Sequence, residues 1–264
     1  MSKINYEFDG NLAVLTVAHA GPPVITSKTM DQLVTSVGKA RADGCRALLL
    51  RAAGPVFFAG ADISAFKGLS ESAARTLFAD YMKVMHAIES LDVPTVAAVQ
   101  GFCIGGGLEL ALACDLIVAK RGTMFGQVEA LLGAVTFLGG TQRLAQRCGT
   151  ARALEITYTG SLYPAETFAS WGIVSKVIHE DGFEAKALSF ASSLATGPTA
   201  AHRVTKEVLR TARTAGMQEA DARMLRLGAT VMETKDLQTG VDVMLKMGSR
   251  AFMAHPRPVD FRGE

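Results

Sequence analysis

Apolar residues recur along this chain with two periods, and the change from one to the other organises it. INYEF (4–8), the turn dipeptide Asp9-Gly10 and LAVLTVA (12–18) alternate or run apolar on either side of a tight turn, which predicts a β-hairpin. Residues 28–42 place Met30, Leu33, Val34 and Val37 at helical spacing. RALLLRA (46–52) and PTVAAV (94–99) are short unbroken apolar runs and predict buried strands. Between them the loop AGPVFFAGADIS leads to a long amphipathic helix over 71–91, which stops before Pro94. A glycine-rich turn at 105–107 opens a short helix to about Cys114, and DLIVA (115–119) and TMFG (123–126) are short strands. From about Thr141 helices dominate, with one strand, IVSKVI (173–178). Beyond Gly197 nearly everything is helical, with Arg and Lys on the outer faces. Strands alternating with helices, followed by a helical tail, predict an α/β fold with a C-terminal appendage.

Composition narrows the classes. With 264 residues, 49% hydrophobic and 20% charged, the chain has the balance of a globular protein. Net charge is +2, and no polybasic run occurs, which argues against nucleic acid or an acidic membrane surface as principal partner. Cys45, Cys103, Cys114 and Cys148 are scattered, without metal-ligand spacing. The start, MSKINYEFDGN, lacks the apolar run of a signal peptide. The longest apolar stretch, 93–119, is broken by a Pro, four Gly, Glu109 and Asp115, so a membrane span is not expected. A reducing cytoplasmic setting is the expectation.

Three stretches carry candidate chemistry. Glu109, in IGGGLELALACD, is the only charged side chain between Val93 and Cys114. An ionised carboxylate there costs several kcal/mol unless a partner answers it; complementing a helix macrodipole is the plainer explanation, and the sequence leaves both open. The adjoining Gly105-Gly106-Gly107 lets a backbone approach a ligand or simply a packed neighbour, and the first N–H groups of the helix lack intrahelical partners. FFAGADIS (57–64) is a second place where a backbone N–H can face a ligand, although an ordinary loop reads the same way. FGQVEALLG (125–133) puts Glu129 among apolar neighbours, either as a solvated loop residue or as the second carboxylate of an acid–base pair. No dinucleotide fingerprint, P-loop, GxSxG, HExxH or SxxK is present, and the five histidines do not cluster.

In order, these segments resemble the enoyl-CoA hydratase/isomerase (crotonase) superfamily. The resemblance runs nearly end to end: PPV near residue 22, FFAGADIS, DVPTVAAVQGFCIGGGLELALACDLIVA, FGQVEALLG, GGTQRL (139–144) and RPVDFRG. It implies a spiral of ββα units over 1–196 and a C-terminal helical region, 197–264, that packs in homotrimers or in hexamers made of two trimers. It also implies an acyl-CoA thioester as substrate, with coenzyme A as part of that substrate and no separate cofactor. The N–H groups of Ala61 and Gly106 would form an oxyanion hole. Glu109 and Glu129 would hold a water at the β-carbon of a 2-enoyl-CoA, Glu109 activating it and Glu129 protonating the α-carbon. Ala59, Asp62, Ile63 and Gly105 would surround the bound thioester.

Some positions depart from the family pattern. PPV is followed by Ile25-Thr26 where an NAL segment is common; Ser64 replaces a frequent lysine, with Lys67 able to reach similarly. His255 stands where a C-terminal lysine often reaches a neighbour's CoA. Thr136-Phe137 replaces a Pro-Gly pair and puts aromatic bulk near the acyl chain. That substitution keeps isomerase, lyase or hydrolase chemistry on a more elaborate acyl-CoA open beside hydration. A non-catalytic acyl-CoA-binding protein is a further alternative.

Overall fold

The computed structural model describes residues 2–179 and 181–264. The hairpin forms as the alternation predicts: β1 (Lys3–Phe8) pairs antiparallel with β2 (Leu12–Ala18). Beside β2 lie β3 (Ala47–Ala52), β4 (Thr95–Val99), β6 (Leu116–Lys120) and β9 (Lys176–Ile178), all parallel, in the order β1-β2-β3-β4-β6-β9. A parallel sheet is covered on both faces, so its strands read as unbroken apolar runs while alternate side chains go to opposite layers. Leu48, Leu50, Ala97 and Val99 join the larger core cluster, and Ala47, Leu49, Val96 and Ala98 the smaller one.

The smaller layer is closed by Phe183, Ala187, Ala191 and Ala195 of α7 (Phe183–Ala195). Against the other face pack α1 (Ser27–Ala42), α2 (Glu71–Glu89) and α3 (Gly106–Ala113). A second, three-stranded sheet joins β5 (Phe102–Ile104), β7 (Met124–Gly126) and β8 (Tyr163–Pro164). Neither β5 nor β8 is predicted by the apolar pattern, and the strand expected over 173–178 begins only at Lys176. Ile173 and Val174 instead donate their N–H groups to Phe168 O, closing α6 (Ala165–Ser170).

Two helices separated by Gly149, α4 (Gly140–Cys148) and α5 (Thr150–Thr159), precede β8. The C-terminal region comprises α8 (Thr199–Ala215), α9 (Met217–Val231), α10 (Lys235–Met247) and α11 (Ser249–Ala254). Polar anchors tie it to the sheet: Lys206 pairs with Asp115 at 2.7 Å, and Arg46 donates to Thr199 Oγ1, Gly197 O and Phe261 O. Buried Asp236 accepts from the N–H groups of Arg262 and Gly263, strapping down the final residues. Among the described residues no helix is long and apolar enough to cross a membrane.

Candidate active site

All eight residues of α3 are buried, which suits a helix apolar on every side except for its one carboxylate. Glu109 is 2% exposed, and its Oε1 accepts from the N–H groups of Leu138 and Gly140, each at 2.8 Å. Gly140 is the first residue of α4. The carboxylate therefore caps a neighbouring helix, a different arrangement from one that merely complements its own dipole. Burial raises the Glu109 carboxyl to about 7, the Glu129 charge adding to the rise and the two N–H donors and Arg143 opposing it.

Glu129 opens a single 3₁₀ turn, Glu129–Leu132, and is half-buried. Gln127, fully buried, faces it, and with the amide nitrogen assigned to the side facing the carboxylate it donates to Oε1 and Oε2 at 3.0 and 2.9 Å. Burial pushes the Glu129 carboxyl up. Gly105 has φ +54, and a Cβ there would lie 3.3 Å from Glu129 Oε1, so the first glycine of the triplet both makes the turn and leaves room for this carboxylate.

Two backbone donors face the same space. Gly106 is the first residue of α3, so its N–H has no intrahelical acceptor. Ala61 lies in a parallel bridge with Ile25, whose flanking bonds use Gly60 O and Asp62 N and leave the Ala61 N–H aside. Among the described residues neither N–H meets an acceptor. A Cβ on Gly106 would sit 4.0 Å from Ala61 N, which makes the two amides neighbours.

These groups line one cleft of about 630 Å³. Of the residues singled out from the sequence, Ala59, Ala61, Ile63, Lys67, Gly105, Gly106, Glu109, Glu129 and Phe137 all border it. Asp62 does not; its carboxylate accepts from Ser64 N and Oγ and caps the 3₁₀ turn Ile63–Phe66. The far wall is aromatic: Phe137 stacks on Phe78 with centroids 4.1 Å apart, and Phe66 meets both edge-on. Met82 and Met85, on the same helix as Phe78, pack with the core. Tyr81 and Leu138, unremarked in the sequence, also border the cleft. His86 lies exposed on α2 and takes no part.

A buried carboxylate pair beside two idle N–H donors is equipped to hold a carbonyl oxygen and move protons next to it. A family model described as Enoyl-CoA hydratase/isomerase matches residues 9–254. The chain belongs to this family. It is 33% identical over 202 residues to the crotonyl-CoA hydratase of Syntrophomonas wolfei, covering 75% of this chain and 76% of that one. It is 41% identical over 133 residues to the enoyl-CoA isomerase/hydratase fer4 of Mycosarcoma maydis, about half of each chain (50% and 48%). The solved enoyl-CoA hydratase of Bacillus anthracis matches the fold with a TM-score of 0.85 at 26% identity, over 100% of this chain and 99% of that one. The spiral architecture with its C-terminal helices is thus the crotonase fold.

Proposed function

We propose that this family member adds water across the 2,3 double bond of a 2-enoyl-CoA. One observation carries the reading: two desolvated carboxylates, Glu109 and Glu129, border the same cleft as the unpaired N–H groups of Ala61 and Gly106. The thioester carbonyl accepts from both N–H groups, and a water sits between the carboxylates. Glu109, ionised, takes a proton from that water as its oxygen bonds to the β-carbon. The π electrons move to the thioester oxygen, giving an enolate that the two donors stabilise. Glu129, protonated, gives its proton to the α-carbon as the carbonyl re-forms. Mutual repulsion favours one ionised and one protonated member of the pair, since two adjacent carboxylates resist ionising together. Coenzyme A enters as part of the substrate, and Lys67 at the rim is a cation for its phosphates.

Loss of the conjugated-thioester absorbance of crotonyl-CoA and of a medium-chain 2-enoyl-CoA tests this. Wild type removes it quickly, and Glu129→Gln slows turnover by roughly 10²–10⁴. A folded Glu129→Gln with near-normal turnover overturns the reading. The aromatic wall at Phe137 favours a second reading, isomerisation of a 3-enoyl-CoA through the same enolate. Rapid conversion of a 3-enoyl-CoA with negligible hydration of the 2-enoyl isomer selects it.

The remaining attributes follow as proposals. Residues 1–196 hold the catalytic spiral, and 197–264 mediate assembly into a trimer or a pair of trimers. The apolar side chains exposed on α9 and α10, Met224, Leu225, Val241, Met244 and Leu245, support that assembly. Four free cysteines support a reducing, cytoplasmic setting.

A further inference from the structure

Behind Glu109 lies an ion pair that the hydration scheme does not use. Arg143 on α4 meets Glu89, the last residue of α2, through both forks: Nε to Oε1 at 2.9 Å and Nη2 to Oε2 at 2.8 Å. The two side chains are 9% and 21% exposed. The third nitrogen, Nη1, donates to Leu138 O at 2.9 Å and Gly139 O at 3.2 Å. Gly139 O and the Gly140 N–H are the two ends of one peptide unit, and that N–H donates to Glu109 Oε1. An uninterrupted chain runs from Glu89 through Arg143 and a single peptide to Glu109.

We propose that Arg143, anchored by Glu89, is a positioning residue that holds the Gly139–Gly140 peptide against Glu109 and biases that carboxyl toward its ionised form. The local sequence is shaped around this contact. Gly139 has φ +88, and a Cβ on it would fall on Arg143 Nη1. A Cβ on Gly140 would collide with the Gln127 amide and lie 3.0 Å from Glu109 Cγ. Both glycines are therefore spaces kept open for the guanidinium on one side and the carboxylate on the other. A cation at the carbonyl end polarises the peptide and strengthens donation from its N–H end. Stability alone does not call for the arrangement, because a buried ion pair is often no more stabilising than apolar residues of equal volume. Other groups around Glu109 act in known directions: Glu129 across the cleft disfavours its charge, and the Leu138 N–H favours it. Glu89 offsets part of the Arg143 field, while Lys67 and Tyr81 border the same cleft.

The inference rests on the hydratase reading for its catalytic consequence, but its test reads the carboxyl directly. Protein labelled with ¹³C-carboxyl glutamate is titrated by NMR, the Glu109 resonance being the one lost in Glu109→Gln. In Arg143→Gln the midpoint moves up by about one pH unit. Arg143→Lys, which keeps charge and loses the fork, falls between that variant and wild type and supplies a second variant if Arg143→Gln folds poorly. Glu89→Gln, which retains the guanidinium and one oxygen to anchor it while removing the opposing charge, does not raise the midpoint. An unmoved midpoint in both Arg143 variants, or a rise in Glu89→Gln equal to theirs, overturns the inference, because loss of packing alone then accounts for the behaviour. In the active enzyme the ascending limb of kcat/KM moves with the midpoint while KM holds. If the midpoints move as expected and no 2-enoyl-CoA is hydrated, the positioning stands and the hydratase reading falls.

Discussion

The site around Glu109 and the C-terminal helices α9 and α10 invert each other. Around Glu109, charged and amide side chains are buried, and each has a named partner: Glu109 with two N–H groups, Gln127 with Glu129, Arg143 with Glu89. On α9 and α10, large apolar side chains stand in solvent, with Leu225 79% and Leu245 78% exposed. Each arrangement is unfavourable for an isolated chain, and for opposite reasons. Buried polar groups persist where hydrogen-bond or charge partners answer them. Apolar groups persist on a surface where something covers them. The proposed function assigns chemistry to the first region and assembly to the second.

The most severe test of that contrast is Leu245→Glu. If this surface faces a second copy of the chain, a charge placed there abolishes assembly, and light scattering reads monomer instead of trimer or hexamer. On a true monomer surface the same substitution changes stability by no more than about 0.5 kcal/mol, and the mass is unaltered. A wild type that is itself a monomer removes the assembly half of the comparison.

Next in size is the stability of Glu109→Gln. Folding raises this carboxyl from 4.5 to about 7, so the folded state holds the proton more tightly than the unfolded chain does. The associated stability is present below pH 4.5 and lost as pH rises toward 7. A glutamine keeps an oxygen for the Leu138 and Gly140 N–H groups and never ionises. Urea unfolding at pH 8 is expected to find the variant more stable than wild type by up to about 3 kcal/mol, with the gap closing near pH 4. A variant less stable than wild type at pH 8 means that the ionised carboxylate is accommodated without strain, and the contrast between the two regions weakens.

What the sequence made legible follows from range. Strands β2, β3 and β4 were readable because burial on both faces leaves unbroken apolar runs. Glu109 stood out because nothing near it in the chain is charged. β5 spans three residues between Gly101 and Gly105, too short for any period to register. Asp62 belonged to a loop that does reach the cleft, yet its carboxylate serves the next turn. Arg143 drew no notice in the sequence, since its partner Glu89 is 54 residues away. The one local signal was the glycine pair of GGTQRL, whose missing side chains leave room for it. For the C-terminal helices the pattern showed helix but did not divide apolar residues between core and surface, because an interface face and a core face have similar composition.

The smallest expected effect belongs to Phe137, the residue on which the two regions could be confused. It is apolar and partly exposed, where the interface candidates stand in solvent, but it borders the cleft and stacks on Phe78. If it walls the acyl site, Phe137→Ala opens space beyond the β-carbon without touching either carboxylate. The ratio of kcat/KM for a medium-chain over a four-carbon 2-enoyl-CoA then rises by roughly tenfold, the scale of one or two methylenes in an apolar pocket. Oligomeric mass stays that of wild type. A change in mass with no change in chain-length preference would move Phe137 to the assembly surface, and exposure of an apolar side chain would then no longer separate the two regions. A change in preference at constant mass keeps the division: apolar exposure inside the cleft selects the acyl group, and apolar exposure on α9 and α10 selects a subunit.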